Sequence, residues 1–191
     1  VRSGDGVVCR SMTEREVEQL QMEKGRTNMQ VISGPRPESL RAQQGLKIIL
    51  RGTQQLETFQ TAKQAFLRAA AKRESIIQSP ITVAIDVDFG PTIFGTPFPS
   101  PSIIGGTNPQ SLTGRNLYSS VRTSLIGQAS SARQTQIFNA LPGILPTDLG
   151  TTANIVGSSA QLRALGQIPP VADPDNEIAI FGPPPSIGFN S

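Results

Sequence analysis

Between residues 46 and 88 the hydrophobic period of the chain changes twice, and that change limits the fold more than any other feature. Leu46 to Leu50 is a short apolar run closed by Gly52, the pattern of a buried strand. From about Thr61 to Gln78 the apolar residues fall at Ala62, Ala65, Phe66, Ala69, Ile76 and Ile77, one face of a helix. Ser79-Pro80 stops that helix, because proline removes a backbone donor and crowds the preceding turn. Ile81 to Asp88 then alternates: Ile81, Val83, Ile85 and Val87 on one side, Thr82, Ala84, Asp86 and Asp88 on the other. Strand, helix and strand within this span predict a βαβ unit, with a right-handed crossover if the strands are parallel. The helical repeat also calls for an apolar residue at 73. The sequence has Arg73 there, a side chain expected to snorkel past the core edge.

The flanks are less regular. Residues 13–24 read as a surface helix, with Thr13 and Glu16 as a capping box, Met12 and Val17 as a hydrophobic staple, and Gly25 as the stop. Residues 33–45 read as a linker, so 1–45 is expected to be a leader or pro-segment and 46–191 the folded unit. Residues 89–116 are rich in Gly, Pro, Ser and Thr, and carry Phe89, Phe94 and Phe98; the stretch is longer than an ordinary connection. Helices are expected at Leu117–Gly127, with Tyr118, Val121, Leu125 and Ile126 inward, and at Arg133–Leu141, with Ile137, Phe138 and Leu141 inward. A turn at Leu145–Asp148, a strand at Ala153–Val156 and a helix at Ser159–Leu165 capped by Ser158 or Ser159 follow. Strands at Ile178–Phe181 and Ser186–Phe189 flank Gly182-Pro183-Pro184-Pro185. The last strand ends without turn or cap, as in a domain cut short. The fold class these signals predict is α+β, with a mixed twisted sheet, backing helices and a long Gly/Pro-rich insertion.

The chemistry legible in the residues is mostly exclusion. The chain has no His, which removes Ser-His-Asp and Cys-His nucleophile systems, His-ligated zinc and an imidazole base. Cys9 is the lone cysteine, so no internal disulfide forms, and only Arg10 stands beside it to activate the thiol. Residues 1–78 carry a formal charge of +5 and 79–191 of −2. The signs alternate locally, as in Glu14-Arg15-Glu16, and no aromatic residues interleave, so no nucleic acid is expected. No apolar stretch reaches the length that spans a bilayer, so no membrane partner is expected.

Asp86 and Asp88 share a strand face and could hold Ca²⁺ with loop carbonyls, although alternation alone produces such a pair on a solvated outer face. Asp173, Asp175 and Glu177 have the spacing that opens a calcium loop, but Ile178 and Pro184 stand where its Gly and bidentate Glu belong. Gly105-Gly106-Thr107-Asn108 has the glycines of a phosphate loop without its Lys, and reads as a turn. Ser100, Ser102, Ser119, Ser120, Ser130 and Ser131 lack a base, and no Ser-x-x-Lys occurs. The residues therefore assign no catalytic, metal-binding or cofactor-binding position.

Several segments, in one order, carry a resemblance. They are Gln60 to Ile77, Ile81 to Pro91, Tyr118 to Leu125, Asn139 to Pro142, Leu162 to Gly166, and the closing Phe181 to Asn190. Together they resemble the N-terminal part of a family of secreted bacterial zinc metalloproteases of the zincin class. The resemblance covers roughly residues 46–191, and extends more weakly into the leader through Val8-Cys9-Arg10. It implies that the chain is the upper half of an extracellular peptidase domain, a hydrolase fragment inactive by itself. In that family a helix carrying His-Glu-x-x-His follows, with two zinc-ligating histidines and a glutamate base. That motif is absent from this chain.

The implied cofactor is zinc in the full-length protein, with none expected on this chain. The implied partners are the C-terminal half of the catalytic domain and a protein or peptide substrate. Arg73 departs from the family, whose first helix usually has an aromatic there. The resemblance further implies that an edge strand of the sheet lies over the substrate cleft and binds extended backbone by strand addition. A cysteine-switch role for Cys9 would follow if residues 1–45 were an inhibitory propeptide. A non-catalytic secreted binding or structural module is the competing reading, and a calcium-stabilised adhesion module a third.

Overall fold

The structure, a computed structural model, describes residues 29–34, 45–109, 114–145, 153–169, 178 and 180–191. The helix expected at 13–24, Cys9, the acidic segment 173–177 and the turn beyond Leu145 lie outside the described residues. Mixed α and β structure is built around a sheet with strand order β1-β2-β3-β9-β6. Its strands are β1 (Gln30–Val31), β2 (Lys47–Gly52), β3 (Thr82–Phe89), β9 (Ser186–Phe189) and β6 (Gly105–Asn108). The strands β2, β3 and β9 run parallel, and the two edge strands run antiparallel to their neighbours. The sheet is therefore mixed, as expected, and the βαβ unit is present. Gln30–Val31, within the span read as a leader, pairs with Arg51 and Gly52, and Ile32 enters the core behind them.

The crossover between β2 and β3 contains a short helix α1 (Gln54–Glu57) that the sequence pattern did not signal, then α2 (Gln60–Glu74). Helix α2 ends at Glu74, so Ile76 and Ile77 lie in the turn beyond it rather than on its buried face. Its inward side runs through Ala62 and Phe66, as expected, and through Leu67 and Ala70 to Glu74, while Ala65 and Ala69 are exposed. Arg73 is exposed, and the buried polar residue of the last turn is Glu74, whose Oε1 accepts a hydrogen bond of 2.7 Å from the backbone N–H of Ile48. The expectation went astray because small alanines carry little phase information and the two isoleucines were counted into a helix that had already stopped. Phe66, Leu67 and Ala70 pack with Ile32, Leu46, Ile48, Leu50, Leu56 and Val87 into the main core. Burial of side chains of this size stabilises a fold by about 1.5–3 kcal/mol each.

The described residues of the insertion, 89–109 and 114–116, are structured. Strands β4 (Thr92–Ile93) and β5 (Thr96–Pro97) form a hairpin, and Gly105–Asn108, expected to be a turn, is strand β6. Glycine is required there for closeness: a Cβ on Gly105 would lie 2.6 Å from the Phe189 ring and 2.7 Å from the Gly188 carbonyl oxygen. A short ribbon pairs β7 (Gly114–Leu117) with β8 (Asn154–Gly157). Helices α3 (Tyr118–Gly127), α4 (Ala132–Asn139) and α5 (Ser159–Ala164) agree with expectation, except that Ile137 faces solvent. Ser158 caps α5 in a reciprocal box with Gln161. Arg122 and the Tyr118 hydroxyl hold the α4 exit by bonding the carbonyls of Leu141, Asn139 and Pro142. Ile178, Ile180 and Phe181 are helical rather than extended, and Gly182 N–H donates to the Ile178 carbonyl at 2.9 Å. Gly182 and then three prolines follow, and the prolines, which lack N–H groups, keep the chain from running on into a strand before Ser186.

Candidate functional site

Alternation on β3 sends Val83, Ile85 and Val87 toward α2 and sends Asp86 and Asp88 to the opposite side. That opposite side is closed, not solvated: Asp86 and Asp88 are each 1% exposed. The sequence reading of a wet outer face is overturned because the segment 89–98 folds back over it. Ile93 fills the notch left by Gly188, where a Cβ would lie 2.5 Å from the isoleucine Cγ1. Phe94, fully buried, sits at φ 51° with Gly95 at φ 89° between the paired Ile93 and Thr96. Positive φ at both central positions is the signature of a type I′ hairpin turn, and a phenylalanine there is strained.

Asp88 holds this turn. Its Oδ2 accepts the Phe94 N–H at 2.7 Å, and its Oδ1 accepts the Phe89 N–H at 2.9 Å and the Thr53 hydroxyl. Thr53 is also the N-cap of α1, its Oγ1 accepting the Leu56 N–H at 3.2 Å. One hydroxyl thus links a helix start to a buried carboxylate. Gln55 joins the cluster by exchanging bonds with Thr92, from Nε2 to the carbonyl at 3.0 Å and from Oγ1 to its own Oε1 at 2.8 Å. Beside it, Asp86 Oδ1 lies 3.1 Å from Arg51 Nε, the two facing each other in register across β2 and β3. From the last helix, Arg163 reaches the Thr82 carbonyl at 2.9 Å and the Pro169 carbonyl at 2.9 Å.

Chemically these groups are scaffold. The carboxylate oxygens of Asp88 point at proton donors, and Asp86 faces a guanidinium, so a cation there would have to displace its own competitors. Among the described residues no three His, Cys, Asp or Glu side chains come together as a metal site. The serines singled out in the sequence have ordinary work. Ser100 and Ser102 bond each other at 2.8 Å, Ser131 caps α4, Ser130 bonds Gln134, and Ser119 and Ser120 lie exposed on α3.

The surface with binding capacity is the edge. Among the described residues β6 pairs only with β9, so its other side presents unpaired backbone groups. On the sheet side that α2 covers, the layer stops short. Phe189 of β9 pairs with Phe89 of β3, and its ring lies 6.0 Å from that of Phe66, yet Phe189 is 43% exposed. The sequence marked neither feature, since Gly105-Gly106 has almost no β propensity and is a strand only through its cross-strand partners. No family model, curated protein or solved structure matches the chain.

Proposed function

We propose that residues 46–191 are the N-terminal portion of an extracellular zinc-dependent endopeptidase. They supply the scaffold and one edge of the substrate cleft, and are inactive alone. The supporting observation is the half-covered sheet. Helix α2 closes β2 and β3, while on the same side Phe189 of β9 and Thr107 of β6 stand exposed, and among the described residues β6 has no second strand beside it. A second helix laid beside α2 would bury Phe189, and an extended peptide could add to β6 through main-chain hydrogen bonds. Order of segments supports the same reading through the resemblance described above.

The residues present do not fit a catalytic zinc: the chain has no His, and the described carboxylates are engaged with Arg51, Lys63, Thr53 and backbone donors. The metal would be held by the C-terminal half of the domain, and no chemical step falls to this chain. Its contribution would be to orient backbone at β6 and to form the floor against which the missing helix packs. The experiment is to read the coding frame past Ser191. A His-Glu-x-x-His pattern within a few dozen codons is expected; a stop codon would leave a non-catalytic secreted binding or structural module instead.

A further inference from the structure

At the other end of the sheet, where β2 and β3 begin, the surface is cationic and apolar together. From Arg68 to Ile81 the only acidic residue is Glu74, and it is buried against β2. Arg68, Lys72 and Arg73 are exposed on α2, and Lys47 is exposed at the start of β2, where its N–H bonds the Ile81 carbonyl at 2.8 Å. None of these four forms an ion pair among the described residues. Ile76 and Ile77, 58% and 40% exposed, protrude at the turn that ends α2, anchored by Ile76 N–H and Ile77 N–H to the Arg73 carbonyl. The following Gln78, Ser79 and Pro80 are exposed and uncharged.

We infer that this turn is a contact point for a lipid bilayer bearing anionic headgroups. Two exposed isoleucines at the end of α2 suit a fluid acceptor into which they can sink, and the exposed cations of the same helix and of Lys47 match its charge. The absence of a spanning segment, which led the sequence reading to expect no membrane partner, bears only on crossing a bilayer; surface adhesion needs no span. The inference is independent of the peptidase reading, since it uses neither β6 nor the open face at Phe189.

The chain contains no Trp, so Ile77→Trp, or Ile76→Trp in a second variant, places a single indole on the tip. Each would be mixed with vesicles of phosphatidylcholine alone and with about 30% phosphatidylglycerol, at about 0.1 M salt. The expected result is a blue shift and quencher protection only with the anionic vesicles, lost at about 0.5 M salt. In co-sedimentation of the otherwise unaltered chain, Lys72→Glu with Arg73→Glu should weaken partitioning about thirtyfold or more. Ile76→Ser with Ile77→Ser should weaken it about tenfold, with circular dichroism unchanged. No indole shift in either tryptophan variant, or anionic-vesicle binding that both paired substitutions leave intact, overturns the inference.

Discussion

Val83, Ile85 and Val87 project from β3 into side chains of α2 and β2, while Asp86 and Asp88, one residue out of step, project into an equally closed layer of an ion pair and hydrogen bonds. The first layer is held by apolar area and tolerates exchange among side chains of similar volume. The second is held by partners, and each polar atom must meet its own. The difference shows how a chain with little aromatic content covers both sides of one strand. A helix covers one, and on the other a short hairpin tied down by a single aspartate covers the Asp88 end, while Arg51 and Arg163 meet Asp86 and the Thr82 carbonyl.

The largest expected effect breaks the polar side. Asp88→Ala leaves the Thr53 hydroxyl and the Phe89 and Phe94 N–H groups without acceptors, and should cost about 3–5 kcal/mol in urea unfolding. A loss below about 1 kcal/mol would mean the hairpin is held by Ile93 and Phe94 alone. Asp86→Ala removes the carboxylate that faces the buried Arg51 guanidinium and should cost about 3 kcal/mol or more, whereas Arg51→Met with Asp86→Leu should be close to neutral. If the double variant were as damaging as the single, the pair would specify the fold rather than merely fill space. On the apolar side, Leu56→Ala should lower stability by about 3 kcal/mol, from lost burial plus the cavity left behind. Gly188→Ala tests the seam between the hairpin and β9. The new methyl group meets Ile93, and the cost should be about 1–3 kcal/mol, partly recovered by Ile93→Val.

The smallest effect sharpens the contrast between closed and open regions. Phe189→Ser should change the stability of this chain by about 1 kcal/mol or less, because the ring is already half in water. In a longer protein whose downstream helix covers β9, the same substitution should cost about 3 kcal/mol. Equal small losses in both would argue against the half-covered sheet as an interface.

The elements with their own period were legible in the residues. Strict alternation marked β3, and the apolar runs marked β2 and the existence of α2. The helix Tyr118–Gly127 was readable from its apolar spacing, and the start of Ser159–Ala164 from the serine at its cap, because cap chemistry acts within a few residues. What misled was inference at longer range. Ala65 and Ala69 have the inward spacing and lie outward, Glu74 has the composition of a surface residue and is buried, and Gly105–Asn108 has the composition of a turn and is a strand.

By itself, the order of residues determined that a βαβ unit would form, that no histidine chemistry could occur, and that residues 89–116 are too long for a plain connection; that the two strands run parallel came from the structure. Tertiary structure alone decided that Asp86 and Asp88 are interior, that two glycines make an edge strand, and that Phe189 and the Ile76-Ile77 tip are left in water. The reason is physical. Periodicity records which side of an element a residue takes. Whether that side meets water depends on segments far along the chain, whose arrival is written in no local pattern.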